Sequence, residues 1–394
     1  MTGFEGVDFY KTDLLLTDEE RAVRDALREW VDEQLLPVIN GCYIEHRFPK
    51  ELIPQMAELY VFGANMPAKY GCAELDNVAY GLLMQELERG DSGVRSFASV
   101  QSSLVMYPIL KFGSEEQKTH WLPKLASGEM IGCFGLTEPD YGSDPGGMIT
   151  RAVKDGNDWI INGTKMWITN GSLADVAIIW AKTGDLDDTK SVRGFIVETD
   201  RDGYVAKDQK GKLSLLAADT SEISLQDVRV PDANLLPESS GLKSPLMCLN
   251  QARYGIAWGA VGSAMACYDE ALRYGKTRTQ FKRPIAGFQI QQVRLVEMLT
   301  EITKAQLLCI QLGRLKDRGE AHHSQISLAK RNNVSMACDV AREARRLLGA
   351  NGILVEYQSM RHMANLESVY TYEGTHDIHS LVVGQEITGL AAFE

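Results

Sequence analysis

From about residue 241 onward the chain repeats apolar residues at helical spacing over unusually long spans. The segments are GIAWGAVGSAMACYDEALRYGKTR, GFQIQQVRLVEMLTEITKAQLLCIQLGRLKDRG, SQISLAKRNNVSMACDVAREARRLLGANG and THDIHSLVVGQEITGL. Two of them are apolar enough to bury more than one face, which suits a helical bundle. The polar stretch KDRGEAHH reads as a connection between helices. Upstream the texture changes. DWIINGTKMWITNG, DVAIIWAKTG, RGFIVETD and SEISLQDVRVP are short, rich in Ile, Val and Trp, and punctuated by Gly, Asn and Asp. That pattern predicts antiparallel β-structure from about residue 130 to Asn234. Before it, helices are expected from about residue 14. Thr17 and Glu20 form a capping box, Val23, Leu27, Trp30 and Val31 recur at helical spacing, and Pro37 is expected to stop the helix. FPKELIPQMAELYVFGANMP and SEEQKTHWLPKLASGE read as further short helices broken by Pro and Gly. The expected organisation is α+β and multidomain: all-α over 1–129, β over 130–240 and helical over 241–394.

The 394 residues carry 41 basic and 53 acidic side chains, a net charge of −12. Phosphate backbones need a basic face, so nucleic-acid binding is not expected. The seven cysteines include no CxxC pair and most sit among apolar residues, as free thiols in a reducing compartment do. MTGFEGVDFYKTD has no basic segment followed by an apolar run, and no stretch approaches the roughly 18 apolar residues of a membrane span. The expected setting is the cytoplasm of a bacterium, or a mitochondrial matrix after loss of a transit peptide. GxGxxG, GxxxxGK[ST] and GxSxG are all absent, which leaves a Rossmann site, a P-loop and a serine elbow unsupported.

Three stretches could carry chemistry. In CFGLTEPDYGSDPGG (Cys133 to Gly147) an apolar run opens into a long loop with many N–H groups and hydroxyls, suited to a polar-edged heterocycle or a phosphate. The plainer reading is a strand and a turn. In MWITNG, Trp167 offers an indole face and Thr169 a hydroxyl at a strand end. In VYTYEGTHDIH, Glu373 stands between Tyr372 and Gly374 at the start of a helix, as a carbon-acid base or as an acid placed for the helix dipole. A rival pattern is the pair of Glu-x-x-His motifs, Glu320 with His323 and Glu373 with His376, which on a bundle can hold two irons. Gly319 and the charges before it put the first pair in a loop and Gly374 interrupts the second, so no metal site is expected.

LTEPDYGSD, MWITN, RTQF (Arg278 to Phe281), LLGANG (Leu347 to Gly352) and YEGTHDIH, in that order, resemble the acyl-CoA dehydrogenase family over residues 14 to 393. VRSFASVQSSLVMYPI, CFGLTEP, CLNQARYGIAWGAVG, MLTEIT, LGRLKD, LAKRNN and NLESVYTYEGTHDIH are similar to its glutaryl-CoA-oxidising branch. The resemblance implies an N-terminal helical domain, a middle antiparallel β-barrel and a C-terminal four-helix bundle, assembled as a homotetramer. It implies FAD as cofactor, glutaryl-CoA as substrate and electron-transferring flavoprotein as acceptor. Phe134, Leu136, Thr137, Gly142, Ser143, Trp167, Ile168, Thr169 and Thr375 would then line the flavin. Arg278, Phe281 and Gln289, with Leu347, Leu348, Gly349, Ala350 and Asn351 from the same or a neighbouring subunit, would hold the adenosine diphosphate half.

By the same resemblance Glu373 is the base that takes the proton from C2, and its backbone N–H, with Gly374 giving room, bonds the thioester oxygen. Burial would raise the Glu373 pKa and the following helix would lower it. Arg95 would pair with the distal carboxylate of the diacid, with Ser96, Ser99 and Glu88 in the same polar network. Ser143, Leu246, Asn250 and Arg253 would touch the thioester and pantetheine, although Arg253 could equally be a bundle ion pair. Tyr372 favours loss of CO2 after oxidation; the alternative is a dehydrogenase, for this or another short acyl chain, that does not decarboxylate. The chain departs from the family pattern at Gly90 and Val94, expected to loosen the acyl pocket, at Lys282-Arg283, which adds charge, and at Ala350, expected to tighten cofactor packing.

Overall fold

The structure is a computed structural model and describes residues 4–392; residues 1–3 and 393–394, the outer ends of the first and third expected domains, lie outside the described residues. Seven helices come first: α1 (Asp18–Trp30), α2 (Leu36–Glu45), α3 (Ile53–Glu58), α4 (Asn77–Gly90), α5 (Ser92–Ser99), α6 (Tyr107–Phe112) and α7 (Glu115–Ala126). The capping box is present: the Glu20 N–H donates to Thr17 Oγ1 at 3.2 Å and the Thr17 N–H donates to Glu20 Oε2 at 2.7 Å. Pro37 does not stop the helix. A π-helical turn, Val31–Leu35, joins α1 to α2, and Pro37 falls in the first turn of α2, where its missing N–H costs no hydrogen bond. Pro123 likewise lies inside α7, close enough to its end that the freed carbonyl of exposed Thr119 faces water.

The middle region holds β1 (Gly132–Gly135), β2 (Arg151–Asp155), β3 (Asp158–Thr169), β4 (Val176–Lys182), β5 (Val192–Glu198), β6 (Tyr204–Asp208) and β7 (Thr220–Pro231). They form one sheet in the order β1-β4-β2-β3-β7-β6, with β5 beside β4. The expected antiparallel pairing holds for β2–β3, β3–β7, β4–β5 and β6–β7, but β1 runs parallel to β4. A parallel pair needs a long crossover, and the loop after β1 with the β2–β3 hairpin supplies it. The register of β3 against β7 slips between Lys165 and Ile168, and Trp167 takes a left-handed backbone there, φ 63°.

The C-terminal region is helical: α8 (Lys243–Thr277), α9 (Gln289–Asp317), α10 (His323–Leu347), α11 (Gln358–Thr371) and α12 (His376–Thr388). Helix α10 packs on α8, α9, α11 and α12, and α4 of the first domain lies along α8. One apolar core runs through both helical regions into the outer face of the sheet (Val176, Ile178, Trp180), and a second, with Ile161, Phe195 and Val228, fills the sheet's other side. All seven cysteines are free; six are buried and Cys338 is half-buried. No helix among the described residues is long and apolar enough to cross a membrane.

Candidate active site

Four residues, Tyr372 to Thr375, join α11 to α12. Glu373 sits in the left-handed region, φ 53°, and Gly374 follows at φ 96°. A Cβ on Gly374 would come within 2.9 Å of His379 Nε2 and 3.2 Å of Arg253 Nη2, so only glycine fits both the angle and the space. Thr375 ends the turn as N-cap of α12, its Oγ1 accepting from Ile378 N–H at 3.2 Å. Two cations hold this turn through its carbonyls. Arg253 Nε donates to the Glu373 carbonyl at 2.7 Å, and Lys330 Nζ donates to those of Tyr372 at 3.0 Å and Gly374 at 2.8 Å.

The Glu373 carboxylate reaches a cleft of about 2020 Å³. Its Oε2 is shut away from solvent and has no partner in the chain. Burial raises the Glu373 pKa; Arg95, Arg253 and Lys330 oppose that rise. Of the two influences expected from the sequence, burial wins, and its opponents are three side-chain cations.

Behind this end of the cleft lies a buried polar cluster. Arg95 is fully buried on α5; its Nε donates to Glu88 Oε2 at 2.5 Å and its Nη2 to the Tyr372 hydroxyl, while Nη1 has no partner. Ser92 Oγ donates to the other Glu88 oxygen at 3.0 Å, and Ser96 Oγ lies 3.2 Å from the Tyr372 hydroxyl. Ser96 and Tyr372 line the cleft; Arg95, Glu88 and Ser99 stand behind that wall. Ser99 Oγ is buried without a partner.

The structure gathers most of the residues expected to bind ligand. Phe134, Leu136, Thr137, Gly142, Ser143, Trp167, Ile168, Thr169 and Thr375 line one part of the cleft, and Leu246, Asn250, Arg253 and Gly374 another. Trp167 is 61% exposed and lines the cleft, leaving an apolar indole at its wall. A flat heteroaromatic ring with polar edges fits such a plane flanked by Thr137, Ser143 and Thr169 hydroxyls. The loop from Glu138 to Thr150 is stapled at its base. Glu138 accepts from the Ile149 and Thr150 N–H groups at 2.7 and 3.0 Å and from Lys165 Nζ at 2.8 Å.

The remaining predicted cofactor residues do not line this cleft. Arg278, Phe281, Gln289, Gly349 and Ala350 are exposed, Phe281 to 89%. Leu347 and Leu348 are core residues, and Asn351 Nδ2 donates to the Tyr274 hydroxyl at 3.0 Å. The reason is length: α8 carries both Arg253 and, at its C-cap, Arg278, and 25 residues of helix span roughly 37 Å. Gly90 and Val94 do not line the cleft either. Gly90 makes room for Leu35, whose Cδ2 would be 2.4 Å from an added Cβ, and Val94 is core. They therefore do not loosen the acyl pocket. The two Glu-x-x-His pairs do not gather: among the described residues the one metal-ligand group is His322, His323 and Glu386, all exposed, while the His376 ring stacks on Tyr370.

Residue-by-residue reading missed Lys330, Gly259 and the staple role of Glu138 and Lys165. Lys330 had a signal: Ile326, Lys330 and Val334 are spaced by four and all buried, which puts a lysine on an apolar helix face. Gly259 had none; an added Cβ there would lie 2.1 Å from Glu88 Oε2 and 3.1 Å from Arg95 Nε, a contact between α8 and α4 that only the packing defines.

A buried carboxylate on a left-handed turn thus faces a cleft between sheet and bundle. The N-terminal, middle and C-terminal domains of acyl-CoA dehydrogenases match residues 17–129, 133–228 and 239–388. The chain belongs to the acyl-CoA dehydrogenase family, and its cofactor is FAD. It is 34% identical over 369 residues to the short-chain specific mitochondrial acyl-CoA dehydrogenase of Bos taurus, covering 93% of this chain and 90% of the other. The crystal structure of glutaryl-CoA dehydrogenase from Mycobacterium smegmatis superposes with a TM-score of 0.96 at 51% identity, covering 99% of this chain and 100% of that one. A glutaryl-CoA dehydrogenase from the same organism in complex with FADH2 matches at 49% identity and a TM-score of 0.96, over the full length of both.

Proposed function

We propose that this chain oxidises and decarboxylates glutaryl-CoA to crotonyl-CoA and CO2. The observation that carries the diacid substrate is the Arg95 guanidinium, buried directly behind the Ser96 and Tyr372 wall of the cleft with Nη1 unpartnered. A buried donor left unmade costs about 1–3 kcal/mol and more when charged. A hydrocarbon tail would do nothing for that charge; a carboxylate on the Ser96 and Tyr372 hydroxyls at the wall would bring a counter-charge beside the guanidinium.

The thioester then lies toward Ser143, Leu246 and Asn250, with its oxygen on the backbone N–H of Glu373. That donor stabilises the enolate as the C2 proton leaves. Glu373, which lines the cleft, takes the C2 proton. Bound FAD would supply the hydride acceptor for C3, with electron-transferring flavoprotein as the acceptor of its electrons. The distal carboxylate is now carried on C4, adjacent to the C2=C3 bond that is conjugated to the thioester. The C4–C5 bond breaks, CO2 leaves, its electron pair moves toward the thioester, and protonated Glu373 returns its proton to C4. Arg278, Phe281 and Gln289 are exposed and away from the cleft; in a homotetramer they would meet the adenosine diphosphate half of a neighbouring subunit's FAD.

Anaerobic mixing with carboxyl-labelled glutaryl-CoA tests the reading, following flavin bleaching, product mass and released label together. Bleaching with crotonyl-CoA and labelled CO2 is expected. Bleaching with glutaconyl-CoA and no labelled gas rejects decarboxylation, and no bleaching rejects the substrate.

A further inference from the structure

Lys330 is 1% exposed and lies on the face of α10 that packs against the Tyr372–Thr375 turn. Its two hydrogen bonds go to carbonyls that flank Glu373 on either side, and among the described residues it forms no ion pair with a carboxylate within 4.0 Å. Burying an ammonium on neutral acceptors alone is costly, and packing gives no reason for it, since a methionine would fill the space without a charge. Arg253, from α8, holds the carbonyl between those two. Three consecutive carbonyls are therefore fixed by two cations from two helices, and the residue in the middle is the one at φ 53°.

We propose that Lys330 is a positioning residue for the reaction: with Arg253 it clamps the turn and holds Glu373 in the left-handed conformation that directs its carboxylate to the cleft. This rests on Glu373 being the base. An unclamped glutamate would relax toward an ordinary backbone angle, since the left-handed region is disfavoured for a residue with a side chain. Displacing a base by about 1 Å lowers turnover by as much as about a hundredfold.

The clamp also acts through charge. The groups that bear on Lys330 are Glu373 of the turn, Arg253 of α8, Arg95 of α5 and Cys338 of its own helix; Lys330 in turn bears on His376 and His379 of α12. Burial pulls the Lys330 pKa down to about 7, so it is cationic through the acid limb of the rate profile. As a cation it lowers the Glu373 pKa. Removing it moves the limb at which Glu373 protonates to higher pH.

The test compares Lys330→Met, Lys330→Arg and Glu373→Gln in the flavin-loaded enzyme. K330M is expected to lose roughly ten- to a hundredfold in kcat with KM for glutaryl-CoA changed by less than about threefold. Its acid limb moves up, and amide exchange of the 369–379 peptide speeds by about tenfold while other peptides keep their rates. K330R, which retains charge and donors, recovers most of kcat. A K330M enzyme within about twofold of wild-type kcat, or a slower one with unchanged exchange and unchanged acid limb, overturns the clamp. Should K330M fail to fold, K330Q replaces it: the amide keeps N–H donors without charge, and an unshifted acid limb overturns the proposal. E373Q separates the two ideas. If E373Q retains turnover the base assignment fails; if E373Q is dead while K330M is normal, only the clamp fails.

Discussion

Gly259→Ala adds one methyl group where the structure has no room for it. The new Cβ would sit 2.1 Å from Glu88 Oε2, 3.0 Å from Glu88 Cδ and 3.1 Å from Arg95 Nε, against an ordinary contact of 3.4 Å or more. Both partners are fully buried and paired to each other, so neither can swing into solvent. The carboxylate must retreat by about 1.3 Å, and it takes the guanidinium with it or loses it. Overpacking of this kind costs about 1–3 kcal/mol. Taking about 2 kcal/mol as the part expressed at the site gives roughly a thirtyfold loss in kcat/KM for a substrate that uses Arg95. A substrate of similar length without the distal carboxylate feels little of it. The assay is kcat/KM for glutaryl-CoA and butyryl-CoA on the same flavin-loaded preparation. A selective fall for glutaryl-CoA is expected. An equal fall on both substrates, or none, refutes the assignment of the Arg95–Glu88 pair to the diacid tail.

Arg95→Met leaves Glu88 buried without its counter-ion, so a loss of about 3–5 kcal/mol in denaturant unfolding is expected, most of it restored in Glu88→Gln/Arg95→Met; a stable single mutant would contradict the pairing. The raised Glu373 pKa makes the base protonate earlier than an ordinary carboxylate, so kcat should fall as pH drops through a value above the usual range near 4.3; a flat acid profile down to pH about 4 would exclude Glu373 as the titrating base. Glu138→Gln strips Lys165, fully buried and with a pKa lowered by burial to about 8, of its counter-ion, and unpins the loop beside Trp167. Faster release of FAD during gel filtration is expected, with unchanged release as the contrary result. A thiol titration of the native protein should label Cys338 slowly and the six buried cysteines only after unfolding.

The three-part organisation was legible because each region announces itself by a local period. Long apolar helical spans cannot sit in a sheet, and short Val- and Ile-rich runs between turn residues cannot sit in a bundle. The Thr17 capping box was equally local and is present. The strand pairing was less legible: β1 beside β4 depends on a crossover, which residue type does not encode. Pro37 was misread because a π turn, invisible in the composition, reset the hydrogen-bond ladder before it.

The site divides in the same way. Glu373, Trp167 and the Cys133 to Gly147 loop could be singled out from sequence, since a lone acid between tyrosine and glycine and a long donor-rich loop are unusual locally. The family resemblance added Arg95 and the cofactor motifs, but it did not divide them between cleft and far end; the straight run of α8 does that, by carrying Arg253 and Arg278 apart. Likewise sequence alone leaves the fate of the Glu373 proton affinity open, because burial and three cations from α5, α8 and α10 meet only in the folded chain. Periodicity and turn chemistry are properties of neighbours in the chain, and the sequence therefore determined the three-part organisation and singled out Glu373. Which glycine spaces an ion pair, which lysine grips a turn and which motifs share a cavity depend on distances between residues far apart in the chain, and only the tertiary structure decided those.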